Sequence, residues 1–163
     1  MRKQIKFLLL ALILFLSFSS LGFSCSSATL CTNACPKCDL SNAKLRKAYL
    51  AKADLRGTNL RGANLTEANL TSAFLTNANL SNANLTRAKL DKANLRGANL
   101  TEANLTRAFL SGANLKKIKL NGANLSRANL TDTNLTNTDL SKANANFKDA
   151  IGVIKDQPVT IGK

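Results

Sequence analysis

The chain has 163 residues, 45% hydrophobic and only 5% aromatic, and carries 23 Lys and Arg against 9 Asp and Glu, a formal net charge of +14. It contains no histidine and no tryptophan, so its many serines and threonines have no imidazole to activate them as nucleophiles. A charge this positive excludes an acidic surface and directs attention to solubility or to anionic partners.

Residues 1–24 have a basic start at Arg2, Lys3 and Lys6, then an apolar run, Phe7–Leu16, then a stretch rich in small residues from Ser17 to Ser24. This is the layout of a secretory signal peptide, with Gly22 and Ser24 placed for cleavage before Cys25. A retained membrane anchor is the alternative, but the run is short and diluted by Ser17, Ser19, Ser20 and Gly22. A lipoprotein signal would also put a cysteine first in the mature chain, and Cys25 stands there. Gly22 and bulky Phe23 depart from its usual pattern. The expectation is export to a periplasm-like compartment, with a lipid anchor on Cys25 as the alternative.

Residues 25–37 read as a Cys-rich N-terminal cap. The four cysteines, Cys25, Cys31, Cys35 and Cys38, are confined to one short stretch. In an exported chain an even number reads as disulfides, here Cys35 with Cys38 and Cys25 with Cys31. A thiol-redox protein using Cys35-Pro36-Lys37-Cys38 is a further alternative, although the βαβ context of such motifs is missing. A zinc site fits less well, because the spacings match no common finger and there is no histidine. No metal or cofactor is expected.

From Leu40 to Leu140 every fifth residue is leucine, twenty-one in succession. A period this short and strict means a solenoid, in which each unit buries its apolar face only against its neighbours. Two places before each leucine stands Ala in most units, replaced by Thr58, Thr133, Thr138 and the bulkier Ile118. The place just before is usually Asn, and the two places after are polar, charged or Gly. In an extended chain residues two apart share a face, so the small residue and the leucine point inward and the residue between them outward. Inward Ala103 should therefore tolerate enlargement far less well than outward Asn104. An odd period requires a bend in every unit to reset the phase. Gly57, Gly62, Gly97, Gly112 and Gly122, with Asn42, Asn77, Asn82 and Asn137, suit the positive φ of a type II turn's third position. Ser and Thr before them have hydroxyls that can bond turn backbone. Short strand, corner, short strand describes an all-β helix. An amphipathic α-helix is excluded, since a five-residue period walks around a 3.6-residue turn.

The series breaks at Ala145, and Phe147 offers a centre shifted by two. A solenoid must cover its last coil, and 146–163 reads as that C-terminal cap.

Units such as Ala63-Asn64-Leu65-Thr66-Glu67 resemble the pentapeptide-repeat family, whose motif is A-(D/N)-L-X-X, over residues 38–145. The resemblance implies a right-handed quadrilateral β-helix of four pentads per coil, here about five coils and ~24 Å tall. Cys-Pro-Lys-Cys-Asp-Leu-Ser-Asn-Ala also resembles the start of exported cyanobacterial members, which implies a periplasm or thylakoid lumen and supports the cap. Members that bind DNA gyrase are thought to mimic DNA, which needs an acidic rod. That function does not transfer to a basic, exported chain.

With four pentads per coil, residues twenty apart stack in columns. The face through Leu45, Leu65, Leu85, Leu105 and Leu125 then carries Lys44, Arg46, Lys47, Arg87, Arg107 and Arg127 against Glu67. Arg87, Arg107 and Arg127 form a ladder with ~5 Å rungs. Such a ladder suits an anionic polymer or membrane surface. Nucleic acid is not expected, because only Tyr49, Phe74 and Phe109 are outward aromatics. Asp91 and Asp132 share a face but lie two coils apart, so no carboxylate pair emerges. Residues 61–75 and 96–110 differ only at Ser72 and Arg107, yet their offset of thirty-five is not a whole number of coils. The same units serve different faces, which argues against a face-specific catalytic site. The sequence therefore points to a non-enzymatic structural or protein-interaction module with no small-molecule substrate. Anionic-surface binding is the alternative.

Overall fold

The computed structural model describes residues 34–138. The expected signal peptide, Cys25, Cys31, residues 139–145 and the expected C-terminal cap lie outside the described residues.

Every residue that precedes a centre forms a parallel bridge with the residue twenty positions later, from Ala34 with Asp54 to Asn114 with Asn134. Four such positions occur in each twenty-residue coil, so the coil has four sides and four corners. Leucines and small residues fill the interior. Leu60, Leu65, Leu85 and Leu95 are 0% exposed, and Ala63, Ala68 and Ala93 equally so. The inward and outward phases match those expected from the sequence.

The backbone N–H groups of a repeating unit are accounted for almost completely. In the unit around Leu65, the leucine N–H donates to Asn84 O (2.8 Å) and Glu67 N–H to Thr86 O (2.9 Å). Ala68 N–H closes the turn on Leu65 O (3.0 Å), and Asn69 N–H reaches back to Ala48 O (2.9 Å). The remaining donor, Thr66 N–H, is taken by the Asn64 side chain (3.1 Å). A buried or half-buried amide without a partner is costly, so this complete pairing is what lets so narrow a rod exist.

The corner residue expected to need positive φ has it throughout, at 56–70° in all twenty-one units among the described residues. Gly and Asn fill only some of these places. Twelve carry Lys, Arg, Glu, Ser or Asp, including Lys92, Glu102 and Arg107. A side chain there costs about 1 kcal/mol. The coil-to-coil bond and the buried leucine hold the conformation regardless. Gly122 has a second reason to be glycine: a Cβ there would run into the Glu102 carboxylate of the coil before it.

The expected start of the helix at residue 38 is earlier in the structure. Ala34 already bridges Asp54, Cys35 N–H donates to Asp54 O (2.7 Å) and Lys37 has a φ of 60°. Residues 34–37 belong to a pentad because Cys35 takes the leucine's place and Cys38 the alanine's, both half-buried against the core.

Substitutions at the small inward place are absorbed in two ways. Thr58, Thr133 and Thr138 bury their hydroxyls but satisfy them on Cys35 O (2.7 Å), Leu130 O (2.9 Å) and Leu115 O (2.8 Å). Ile118, 4% exposed, coincides with the longest coil-to-coil bonds among the described residues, Lys117 N–H to Thr136 O (3.3 Å) and Lys119 N–H to Ala98 O (3.1 Å). Extra volume in an alanine's place spreads the rungs.

Candidate functional site

The corner after Leu45, Leu65, Leu85, Leu105 and Leu125 stacks Lys47, Glu67, Arg87, Arg107 and Arg127 in one column. Each rung is set by its own amide: Arg87 N–H donates to Thr106 O (3.0 Å) and Arg107 N–H to Ser126 O (2.9 Å). Their φ values, 58°, 58° and 60° for the three arginines, are nearly identical, so the side chains leave the rod in the same direction. All three arginines are exposed. Beside them runs a second column, Thr66, Thr86, Thr106 and Ser126, and the two columns line a groove of about 600 Å³.

Charge is not uniform along this groove. Glu67 lies 3.5 Å from the Arg46 guanidinium and 3.6 Å from the Lys47 ammonium, so its own charge is compensated and the upper end is less positive than three bare cations would make it. Exposed pairs of this kind contribute little to stability, but they do set the local field. Farther along the column stand three arginines in succession, Arg87, Arg107 and Arg127, with no acidic residue between them in that column. On another face Arg56 is held by Asp54 through Nε to Oδ1 (2.8 Å) and Nη2 to Oδ2 (2.6 Å). That hydrogen bond keeps the Asp54 carboxyl below the usual carboxylate range, and bonds from Ser41 do the same for Asp39. A lowered carboxylate contributes above its unfolded pKa and fades as pH falls through the lowered value; for such exposed groups the effect is small.

The outward asparagines have a role that periodicity does not announce. All twelve that precede a described leucine, from Asn59 to Asn134, accept the N–H of the residue two places on. Where that residue is Thr or Ser, its hydroxyl usually donates to the same oxygen, as Thr86 does to Asn84 (2.7 Å), Thr106 to Asn104 (2.6 Å) and Ser126 to Asn124 (2.6 Å). The hydroxyls were expected to bond backbone. They bond the asparagine instead, because its side-chain oxygen already stands at the corner. The sequence signal was the pairing of Asn with Thr or Ser two places later. A further ladder joins coils directly, Asn59 to Asp39 (3.0 Å), Asn79 to Asn59 (3.3 Å) and Asn99 to Asn79 (3.4 Å). Asn104 is therefore not a free outward place, and the expectation that it can be replaced at little cost needs amending.

Cys35 and Cys38 face each other across one corner with Cα atoms 5.4 Å apart, a separation a disulfide spans. Tyr49, Phe74 and Phe109 are 54%, 47% and 45% exposed and are spread over two faces. Among the described residues no three His, Cys, Asp or Glu side chains are grouped in a way that could hold a metal ion.

A family profile described as pentapeptide repeats matches in eight copies over residues 38–77, 78–116 and 110–146. Among solved structures, the chain is similar to a pentapeptide repeat protein from the Arabidopsis thaliana thylakoid lumen. Identity is 31% over 72% of this chain and 79% of that one, with a TM-score of 0.37. It is also similar to Rfr23 from the cyanobacterium Cyanothece 51142, at 29% identity over 74% and 92% of the two chains and a TM-score of 0.43. No curated protein matches it. With a leucine-centred pentad, a twenty-residue coil and a matching profile over most of its length, the chain belongs to the pentapeptide-repeat family.

Proposed function

We propose that the protein is an exported, non-enzymatic module that engages a protein partner through its outward columns. Its coil is right-handed and is closed at its ends by residues 25–33 and 146–163. The reading rests chiefly on one observation: backbone conformation at the corners is the same whatever residue stands there, from Gly112 to Lys117. Side chains at the corners not held as glycine by a neighbouring coil, as Gly122 is by Glu102, can thus vary for recognition without disturbing the core. A photo-crosslinking residue placed singly at Arg107, Asn82, Lys89 and Lys116 samples four faces. In the native compartment, one face should give a single discrete crosslinked band. Equal labelling from all four faces would refute a face-specific partner.

Export and a stapled start are parts of the same reading, supported by the signal-like residues 1–24 and by the spacing of Cys35 and Cys38. Mass spectrometry of the mature protein should find an N-terminus at Cys25 or Ser26, no lipid, and Cys35 oxidised with Cys38. An intact Met1 or an acylated Cys25 would overturn soluble export. A Cys35–Cys38 pair that cycles reversibly and reduces insulin would move the protein to the thiol-redox class.

The second reading is binding of an anionic polymer or surface through Arg87, Arg107 and Arg127. It is favoured by the groove these residues line and by the neutralisation of Glu67 at its upper end.

A further inference from the structure

The geometry points to a linear acidic polysaccharide as the occupant of the arginine groove, an inference that rests on the second reading above and names its ligand. Two columns meet there, and they ask for different things. Arg87, Arg107 and Arg127 offer guanidinium groups at a repeat of ~4.8 Å. Their planar forks suit carboxylate or sulfate. Thr86, Thr106 and Ser126, lining the same groove, have already given their hydroxyl protons to Asn84, Asn104 and Asn124.

That commitment is firm because each asparagine oxygen also takes the backbone N–H of the same Thr or Ser, at 3.0 Å in all three units, which orients the amide. A hydroxyl has one donor and two acceptor lone pairs, so these three present only acceptors to the groove. The ligand must therefore bring an anion for one column and a hydrogen-bond donor for the other, repeated at one coil's spacing. A chain of uronic acid units does so, with a carboxylate and free hydroxyls on every ring. Polyphosphate supplies the anions without donors, and phospholipid headgroups are separate molecules with no linked row of donors at one coil's spacing. Sugar carboxylates then sit on Arg87, Arg107 and Arg127, and sugar hydroxyls donate to Thr86, Thr106 and Ser126. The groove follows the rod axis, so a single strand lying lengthwise meets all three rungs.

The test is binding of the purified protein to polygalacturonate, to its fully methyl-esterified neutral form, to polyphosphate and to phosphatidylglycerol vesicles, across a salt series. Polygalacturonate should bind at physiological salt and its neutral ester should not. The R87Q/R107Q/R127Q variant should weaken binding on the order of tenfold and flatten the slope of log K against log salt by about 2, as expected for three lost charge contacts. R96Q/K116Q, on another face, should leave binding unchanged. T86V/T106V should weaken polygalacturonate about fivefold, the size of a lost hydrogen bond or two, while polyphosphate binding stays as it was; T86S/T106S should restore it. If polyphosphate or vesicles bind more tightly and T86V/T106V changes nothing, the polysaccharide is overturned and the ladder stands with another partner. If both charge variants weaken every polyanion alike, or no polyanion binds, the ladder reading itself falls.

Discussion

Truncating Leu85 to alanine should cost ~2–5 kcal/mol of folding free energy, the range for a large cavity in a core that cannot collapse. Leu85 is 0% exposed and sits between Leu65 and Leu105, also 0% exposed, in the same column. The inward places before and after it along the chain hold buried alanines, Ala83 and Ala88, too small to swing into the space. The rungs are clamped by Leu65 N–H to Asn84 O (2.8 Å) and Leu85 N–H to Asn104 O (2.7 Å), so the backbone cannot close the gap either. The damage should also be non-local. In a solenoid, stability is a sum of unit terms and nearest-neighbour interfaces, and a weak central rung uncouples the coils on its two sides. Urea unfolding followed by far-UV circular dichroism should show a lower midpoint and a broader or split transition. Leu40→Ala, in the first described coils, should lower stability less and keep a single transition. A cost under about 1 kcal/mol for Leu85→Ala would mean that the column is not one packed core.

Enlarging Ala103 to leucine should cost ~1–3 kcal/mol by overpacking. Ala103 is 1% exposed, and the bonds around Ile118 show the direction of the response: rungs move apart where a large side chain occupies the small place. The comparison residue is Lys89, exposed and at the outward place, where leucine should change stability by no more than about 0.5 kcal/mol. Asn104→Leu falls between them. It removes the acceptor of Thr106 N–H (3.0 Å) and Thr106 Oγ1 (2.6 Å) and should cost about 1 kcal/mol. Thermal melts of the three variants should rank Ala103→Leu worst and Lys89→Leu mildest. Equal losses for Ala103→Leu and Lys89→Leu would refute the inward and outward phases.

Much of this molecule is written locally. A leucine every five residues with a small residue two places before it settles which side chains face inward, because that follows from strand alternation and one bend per unit. The positive φ at each bend was likewise legible at Gly57 and Asn42, and the structure extends it to residues such as Arg87 and Glu67 that give no such signal. They adopt it because a donor to the next coil and a buried leucine impose it. The capping by Asn was not legible from periodicity, since an outward polar residue needs no reason to be there. The place of Cys35 in the core was missed for a related cause: a cysteine in a cluster draws attention to its sulfur rather than to its register.

What the local pattern leaves undecided is which outward residues become neighbours. The two nearly identical segments make this plain. Thr66 and Thr101 occupy equivalent places, and each hydroxyl donates to its own asparagine at 2.7 Å. Thr66 nevertheless lines the arginine groove, whereas Thr101 lies on another side of the rod. Glu67 meets Arg46 and Lys47, while its equivalent Glu102 lies against Gly122. Local chemistry determines the shape of a pentad and repeats it faithfully. Only closure of the coil after twenty residues, held by bonds between residues distant in sequence, determines that Arg87, Arg107 and Arg127 stand above one another.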